Sequence, residues 1–180
     1  AWLRANIEGL VALAGVWAGG ASMAMAMVSG DNFGLPLVPL DYVRLVQRMS
    51  ASGAWMLPAF SAFGDSVPLV RTPGRNYTAS PASLLGMLRD LGLDQPAAMY
   101  DQLRRRRLSL DDLPPPRVRT AVLAGVGLRT ERSFEYARPF SRGFGDPPDG
   151  VEYGDGDGSV NAESARVPQE RWPADGTHNY

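Results

Sequence analysis

Twenty consecutive residues, Gly9 to Val28, carry no charge. That is about the length at which an apolar helix crosses a bilayer, so how this run divides decides what the whole chain can be. Gly9, Gly15, Gly19 and Gly20 punctuate it and much of the rest is alanine. Such a composition gains little on transfer into lipid. The run divides better into pieces. Ile7 to Ala14 reads as a short strand buried on both faces of a parallel sheet and closed by Gly15. Ala18-Gly19-Gly20 is then a loop and Ser22 to Val28 a short apolar segment. The competing reading is a membrane-anchored protein that spans with residues 9–28.

Further on, Ser29 to Gly34 is a dense turn signal. Asp41 to Met49 has helical spacing, with Asp41 as N-cap and Val43, Val46 and Met49 on one face. Ala54 to Phe60 is apolar and broken by Pro58. Ser80-Pro81 opens a second helix to about Leu91, with Ser80 as cap and Leu84, Leu85, Leu88 and Leu91 as its stripe. A third helix covers Pro96 to Arg106. Beyond Pro114-Pro115-Pro116, Val118 to Ala124 reads as a second strand closed by Gly125 and Gly127. Phe134 to Tyr136 is expected as an edge strand and Asp146 to Gly158 as a loop. Two buried-type strands flanking a long helical insertion predict an α/β core with an inserted cap. With 20 glycines and 15 prolines, a helical bundle or coiled coil is excluded.

The chain has no cysteine and one histidine, His178. Disulfides, thiolate sites and a multi-histidine metal centre are therefore excluded. A net charge of −1 gives no bulk attraction to nucleic acid. The basic run Arg104 to Arg107 lies among Asp101, Asp111 and Asp112 and reads as a solvated helix end. Asn76-Tyr77-Thr78 is a glycosylation sequon.

The stretch Tyr153 to Asn161, Tyr-Gly-Asp-Gly-Asp-Gly-Ser-Val-Asn, admits three readings. One is a flexible acidic turn. A second is a calcium loop, since Asp155, Asp157 and Ser159 have the spacing of its first ligands. Val160 stands where that loop needs glycine, however, and Arg166 where it needs glutamate. The third is the acid loop of a hydrolase triad, in which a carboxylate orients the catalytic imidazole. His178 follows it in the chain order Ser, Asp, His that such enzymes use, and as base it would serve a serine. No Gly-x-Ser-x-Gly elbow is present. Gly20-Ala21-Ser22-Met23-Ala24 comes nearest and lacks the second glycine.

Taken together, the segments resemble the lecithin:cholesterol acyltransferase and lysosomal phospholipase A2 family. Trp2, Ile7-Glu8-Gly9 and Ala14-Gly15-Val16-Trp17-Ala18-Gly19-Gly20 are similar to a family strand ending Gly-Ala-Pro-Trp-Gly-Gly, with Val16 in place of proline. Ser29-Gly30-Asp31-Asn32 with Pro36 resembles the opening of the family's lid. Trp55-Met56-Leu57-Pro58, and Thr72-Pro73 through Asn76-Tyr77-Thr78, also match in order. So do Gly125-Val126-Gly127 with Thr130, and Asp155 to Asn161 followed by Trp172.

The resemblance implies the C-terminal part of an α/β-hydrolase core with an inserted, mostly helical cap and lid. Residues 1–29 and 116–180 would be core and 30–115 the cap. It implies Asp157 as catalytic acid, with Asp155, Gly156 and Gly158 supporting its loop and His178 as a candidate base. Gly30, Asp31, Asn32, Phe33, Leu35, Leu37, Trp17 and Trp55 would be lid or substrate residues, within a lid from Gly30 to Ser52. Asn76 would carry a glycan. The implied chemistry is ping-pong acyl transfer without a cofactor. The donor is a phospholipid, and the acceptor is water, a sterol or another lipophilic alcohol. Contact with a membrane or lipoprotein surface is expected and a nucleic-acid partner is not. The resemblance places the compartment in the secretory pathway, lysosome or vacuole, or endomembranes. It puts the nucleophilic serine upstream of the position matching Trp2, outside this chain, which alone would be inactive. A non-catalytic lipid-binding homologue of the same fold is the alternative. One position of a family disulfide falls on Val122.

Overall fold

The computed structural model describes residues 2–35, 37–172 and 177–179, and the side chains of Arg4 and of residues 177–179 lie outside the described part. The chain opens with α1 (Trp2–Asn6) and β1 (Gly9–Leu13), followed by α2 (Ala21–Val28). Helices α3 (Leu40–Met49), α4 (Ala51–Trp55) and α5 (Phe60–Phe63) lead to a hairpin of β2 (Val70–Thr72) and β3 (Arg75–Tyr77). Pro73-Gly74 forms its tip, and Gly74 at φ 77° takes the left-handed position that a tight turn reserves for glycine. Then come α6 (Pro81–Asp90), α7 (Asp94–Arg105), β4 (Arg119–Leu123), β5 (Leu128–Glu135) and β6 (Gly150–Gly156). Short helices α8 (Ala162–Ala165) and α9 (Val167–Arg171) precede β7 (Thr177–Asn179).

The strands form two sheets. One has the order β1-β4-β7, and both of its pairings are parallel. The other has the order β3-β2-β5-β6, with β2 parallel to β5 and its other pairs antiparallel. The main core lies against the second sheet. It gathers Met27 and Val28 from α2, Val70, Leu84, Met87 and Leu88 from α6, Tyr100 from α7, and Phe134 and Tyr136. Phe140 and Phe144 close it with edge-on ring contacts to Tyr136 at 5.4 and 5.7 Å.

In the middle of β5 the register with β6 shifts between Glu131 and Ser133, which leaves Arg132 as an extra residue. A bulge of this kind re-aims a side chain. Arg132, Ser133 and Phe134 are consequently all buried, where strict alternation would bury every second residue. The Arg132 guanidinium pairs with Glu163 at 2.8 Å and lies 4.9 Å from the centre of the Phe63 ring.

Both strand–glycine units and the three helices expected from spacing are present, so a mixed α/β architecture holds. The uncharged run 9–28 divides as expected, into a strand and an eight-residue helix, and the competing span is corrected: no described helix is long and apolar enough to cross a membrane. Three further expectations are corrected. Strand β1 pairs in parallel as expected, yet Val11 and Leu13 are 66% and 70% exposed instead of buried. Phe134 lies on an interior strand, not an edge, because β5 is flanked by β2 and β6. The expected loop 146–158 contains β6, at whose end Gly156 packs where a side chain would collide. A Cβ on Gly156 would strike the Val160 carbonyl and the Thr130 hydroxyl. The capping expectations also shift: Asp41 sits inside the first turn of α3, and the Ser80 hydroxyl meets Thr78 Oγ1 at 3.2 Å without capping α6.

Candidate functional site

Strand β6 runs out at Gly156 into a tight turn, and Asp157 is its first residue. The side chain of Asp157 bends back over that turn. Its Oδ1 accepts hydrogen bonds from the Ser159 amide at 2.9 Å and the Val160 amide at 2.7 Å. The Asp157 amide closes the turn by donating to the Val160 carbonyl at 3.2 Å. Gly158, at φ 95°, occupies a backbone region that L side chains rarely adopt. Its amide donates to Thr130 Oγ1 at 2.9 Å. One carboxylate oxygen is thus fixed by backbone donors, while Oδ2 has no protein partner among the described contacts. Glycine is needed again opposite: a Cβ on Gly125 would lie 2.8 Å from Asp157 Cβ. The segment that leaves the end of β4 therefore packs directly on the acid.

Asp155 has a different task. Its Oδ1 accepts from the Gly127 amide at 2.6 Å and its Oδ2 pairs with Arg166 at 3.2 Å. It ties the loop after β4 to the turn after β6. Arg166, the residue that spoils the calcium reading, is the partner this carboxylate uses.

Beyond the turn, Asn161 is fully buried. It stands where a helix cap is expected, but its side chain reaches across the molecule. Its Oδ1 accepts from the Ala21 amide at 3.1 Å and its Nδ2 donates to the Glu131 carbonyl at 2.8 Å. Ser164 Oγ likewise accepts from the Ala18 amide at 2.9 Å. Trp172 meets Trp17 edge-on, with ring centroids 5.0 Å apart. The Trp17-to-Ala21 loop is thereby fastened to the acid-loop segment. On its other side Gly19, at φ 73°, packs against the Met56 and Leu57 carbonyls. The Ala59 amide donates to the Ala18 carbonyl at 2.9 Å. Asn161, Ser164, Arg166 and Thr130 are the residues that sequence reasoning missed in these roles. Motif spacing flagged the neighbourhood and gave no sign of the cross-chain bonds.

The expected lid residues are only partly brought to this place. Asp31 exchanges two backbone bonds with Gln47, and its carboxylate accepts from the Phe33 amide at 2.8 Å. Asn32 accepts from the Gly34 amide at 3.2 Å. Gly30, at φ 82°, presses on Arg44. Phe33, Leu35 and Leu37 are exposed, and Phe33 takes φ 53°. Pro36 lies outside the described residues. Trp55 is a separate feature: its indole donates to the Leu108 carbonyl at 2.9 Å. Asp31 does touch the acid-loop region electrically. Burial, and secondarily the Asp31 charge, hold the Glu131 carboxyl above its ordinary pKa. Asn76 is exposed on β3. The backbone of His178 pairs with that of Ala121, four residues before Gly125, and its side chain lies outside the described residues.

Comparison with known proteins completes the description. The family model described as Lecithin:cholesterol acyltransferase matches residues 1–83. A phosphatidylcholine-sterol acyltransferase of Gallus gallus is 33% identical over 172 residues, covering 96% of this chain and 40% of the relative. The lecithin-cholesterol acyltransferase-like 1 protein of Arabidopsis thaliana is 38% identical over 165 residues, or 91% and 36% of the two chains. A lysosomal phospholipase A and acyltransferase of Bos taurus is 31% identical over 164 residues, or 91% and 38%. The chain thus spans no more than 40% of the length of these relatives.

Proposed function

The chain is a relative of the lecithin:cholesterol acyltransferase and lysosomal phospholipase A family, and from that premise we propose that it carries the acid of a Ser-Asp-His triad acting on glycerophospholipid esters. The acid is Asp157. The observation that carries this is the pinned carboxylate itself. Two amides hold Oδ1, a glycine-lined turn fixes the backbone, and the side chain packs on Gly125, just past the end of a parallel strand.

In such a triad the carboxylate holds the imidazole in one tautomer and stabilises its protonated form. The imidazole removes the serine proton as the serine attacks the acyl carbonyl. It then returns a proton to the departing lysophospholipid oxygen. The acyl-enzyme passes its chain to water, giving a fatty acid, or to a sterol or other lipophilic alcohol, giving an ester. Free amides around the turn would cost this arrangement its rigidity, and here they are bonded. Residues 1–29 and 116–180 form the hydrolase core in this proposal. Residues 30–115 form the cap, with the lid at Gly30 to Ser52 and a glycan on Asn76. The serine is supplied from outside these 180 residues, so the chain alone turns nothing over.

His178 is the chain's one imidazole and so its one candidate base. Its backbone level, opposite Ala121, is about 13 Å short of Gly125 at 3.3 Å per residue. The acid assignment stands without it.

The test is phospholipid deacylation by a gene product that contains these 180 residues together with a serine elbow. Asp157→Asn is expected to lower turnover on the order of 10⁴-fold with the fold intact, the loss expected when the imidazole is held in the wrong tautomer. An unchanged rate removes Asp157 from the mechanism. His178→Gln in the same background decides the base: unchanged turnover assigns that role to another histidine. A product that binds phospholipid and deacylates none of it is the non-catalytic homologue.

A further inference from the structure

One hydroxyl ties the apex of the acid turn to the sheet. At its base the turn is closed by a bridge between Gly156 and Asn161. Between them Gly158 and Ser159 are exposed. Three amides in a row follow Asp157. Those of Ser159 and Val160 donate to Asp157 Oδ1 at 2.9 and 2.7 Å, which holds the carboxylate to the turn and the turn to nothing else. The Gly158 amide leaves the turn and donates to Thr130 Oγ1 on β5 at 2.9 Å. Among the described residues, this is the one side-chain hydrogen bond that reaches residues 157–159 from outside the turn. Thr130 is 2% exposed, and its own proton goes to the Leu128 carbonyl at 3.2 Å. That leaves its lone pairs for the glycine amide. A β-branched side chain is stiff at χ1, so the acceptor stays in place. The sequence also makes room for it, since a Cβ on Gly156 would strike this hydroxyl.

Glycine has more backbone freedom to lose than any other residue, and Gly158, at φ 95°, sits at an apex open to water. Without an anchor such an apex would wander. The carboxylate would wander with it, because Asp157 Oδ1 is held by the next two amides of the same turn. We propose that Thr130 is a positioning residue of the reaction: by accepting from the Gly158 amide it fixes the turn on β5, and so aims Oδ2 of Asp157 at the catalytic imidazole. That Asp157 serves an imidazole rests on the triad reading above, whereas the anchoring of its turn does not. Thr130 is buried beneath the turn and acts through Asp157. Its importance follows from the tolerance of such sites. Catalytic groups must be held within about 0.5 Å of the productive geometry, and a misplacement of about 1 Å costs on the order of 10²-fold in rate. Valine has the shape of threonine and lacks the acceptor. It should therefore slow the chemistry and leave substrate binding alone.

The experiment has two arms. In the 180-residue chain, amide hydrogen exchange reads the anchor without any turnover. Thr130→Val should speed exchange at Gly158, Ser159 and Val160 by up to roughly tenfold, the scale of one lost hydrogen bond. The far part of the β5–β6 ladder, Ser133 to Glu135, should exchange as in wild type. The second arm is phospholipid deacylation by the gene product that also contains a serine elbow. Per folded molecule, Thr130→Val should lower kcat by about 10–100-fold with KM unchanged, a smaller loss than in Asp157→Asn. Thr130→Ser keeps the acceptor and should regain most of that loss. A merely structural threonine would change the folded fraction and leave kcat per folded molecule as it was. Unaltered exchange at the turn overturns the proposal. So does an unaltered kcat, or a serine variant no better than the valine one. Asp157→Asn separates the two readings: full activity there removes the acid and the positioning role with it, whereas its loss beside a fully active Thr130→Val removes Thr130 alone. A product that deacylates no phospholipid overturns the positioning role as well.

Discussion

The two sheets make opposite use of their sequences. Strand β1 reads Gly-Leu-Val-Ala-Leu and is wholly apolar, yet four of its five residues are exposed. Strand β5 reads Leu-Arg-Thr-Glu-Arg-Ser-Phe-Glu and buries Thr130, Arg132, Ser133 and Phe134. What differs is the covering. Helices α2 and α6, the Phe140–Phe144 segment and the Tyr77 ring close over the mixed sheet. Leu10, Val11 and Leu13 stay exposed on the parallel sheet, together with Trp2 and Leu3 of α1. Hydrophobic sequence thus states a demand for burial, and only packing meets it.

The sharpest way to break this comparison is to cut one large side chain from each sheet. Phe134→Ala removes a ring with no exposed surface and should cost about 3–5 kcal/mol, against less than about 0.5 kcal/mol for Leu13→Ala on its exposed strand. Urea denaturation of the chain reads both. Equal costs would mean that the parallel sheet is covered in solution by something, a second copy included.

A second effect sharpens the link between the sheets. Asn161 bonds the Ala21 amide, beyond β1, to the Glu131 carbonyl on β5. Asn161→Ala leaves the buried Ala21 amide and the part-buried Glu131 carbonyl without this partner and should cost about 2–6 kcal/mol at about 1–3 kcal/mol for each. The loss should be matched by earlier proteolysis in the Trp17-to-Ala21 loop. If hydrogen exchange at the Ala21 amide stays as slow as in wild type, Asn161 is not the fastening.

The smallest effect lies with Glu131. Its folded pKa is raised, chiefly by burial, so the folded state prefers the protonated carboxyl. The stability it contributes is therefore fully present below the ordinary glutamate pKa and is lost as pH rises through the higher folded value. Glu131→Gln should leave stability unchanged at about pH 4 or below, near the ordinary glutamate value, and raise it slightly at neutral pH. Thermal melts at the two pH values compare them. A variant that loses stability at neutral pH would show Glu131 to be a favourable charge.

Sequence and structure each decided a distinct part of this protein. Local signals set the helices between residues 40 and 105: Pro81 at a helix start with a leucine stripe behind it gives α6 within a residue of its observed span, because helix-start signals and 3.6-residue spacing act within a turn or two. They also located the turn at Asp157, since the glycine at 158 allows the positive φ found there. They misjudged β6, where glycine and aspartate disfavour a strand until β5 offers a partner, and for α3 they gave the span and the shared face of Val46 and Met49 but not that this face lies exposed. The partners of the acid loop come from residues up to 146 positions apart, as with Ser164 and Ala18. No local pattern encodes a bond of that reach. Which face of an amphipathic helix turns inward, and which apolar strand is covered, is settled by the sum of contacts that the whole chain makes when it closes.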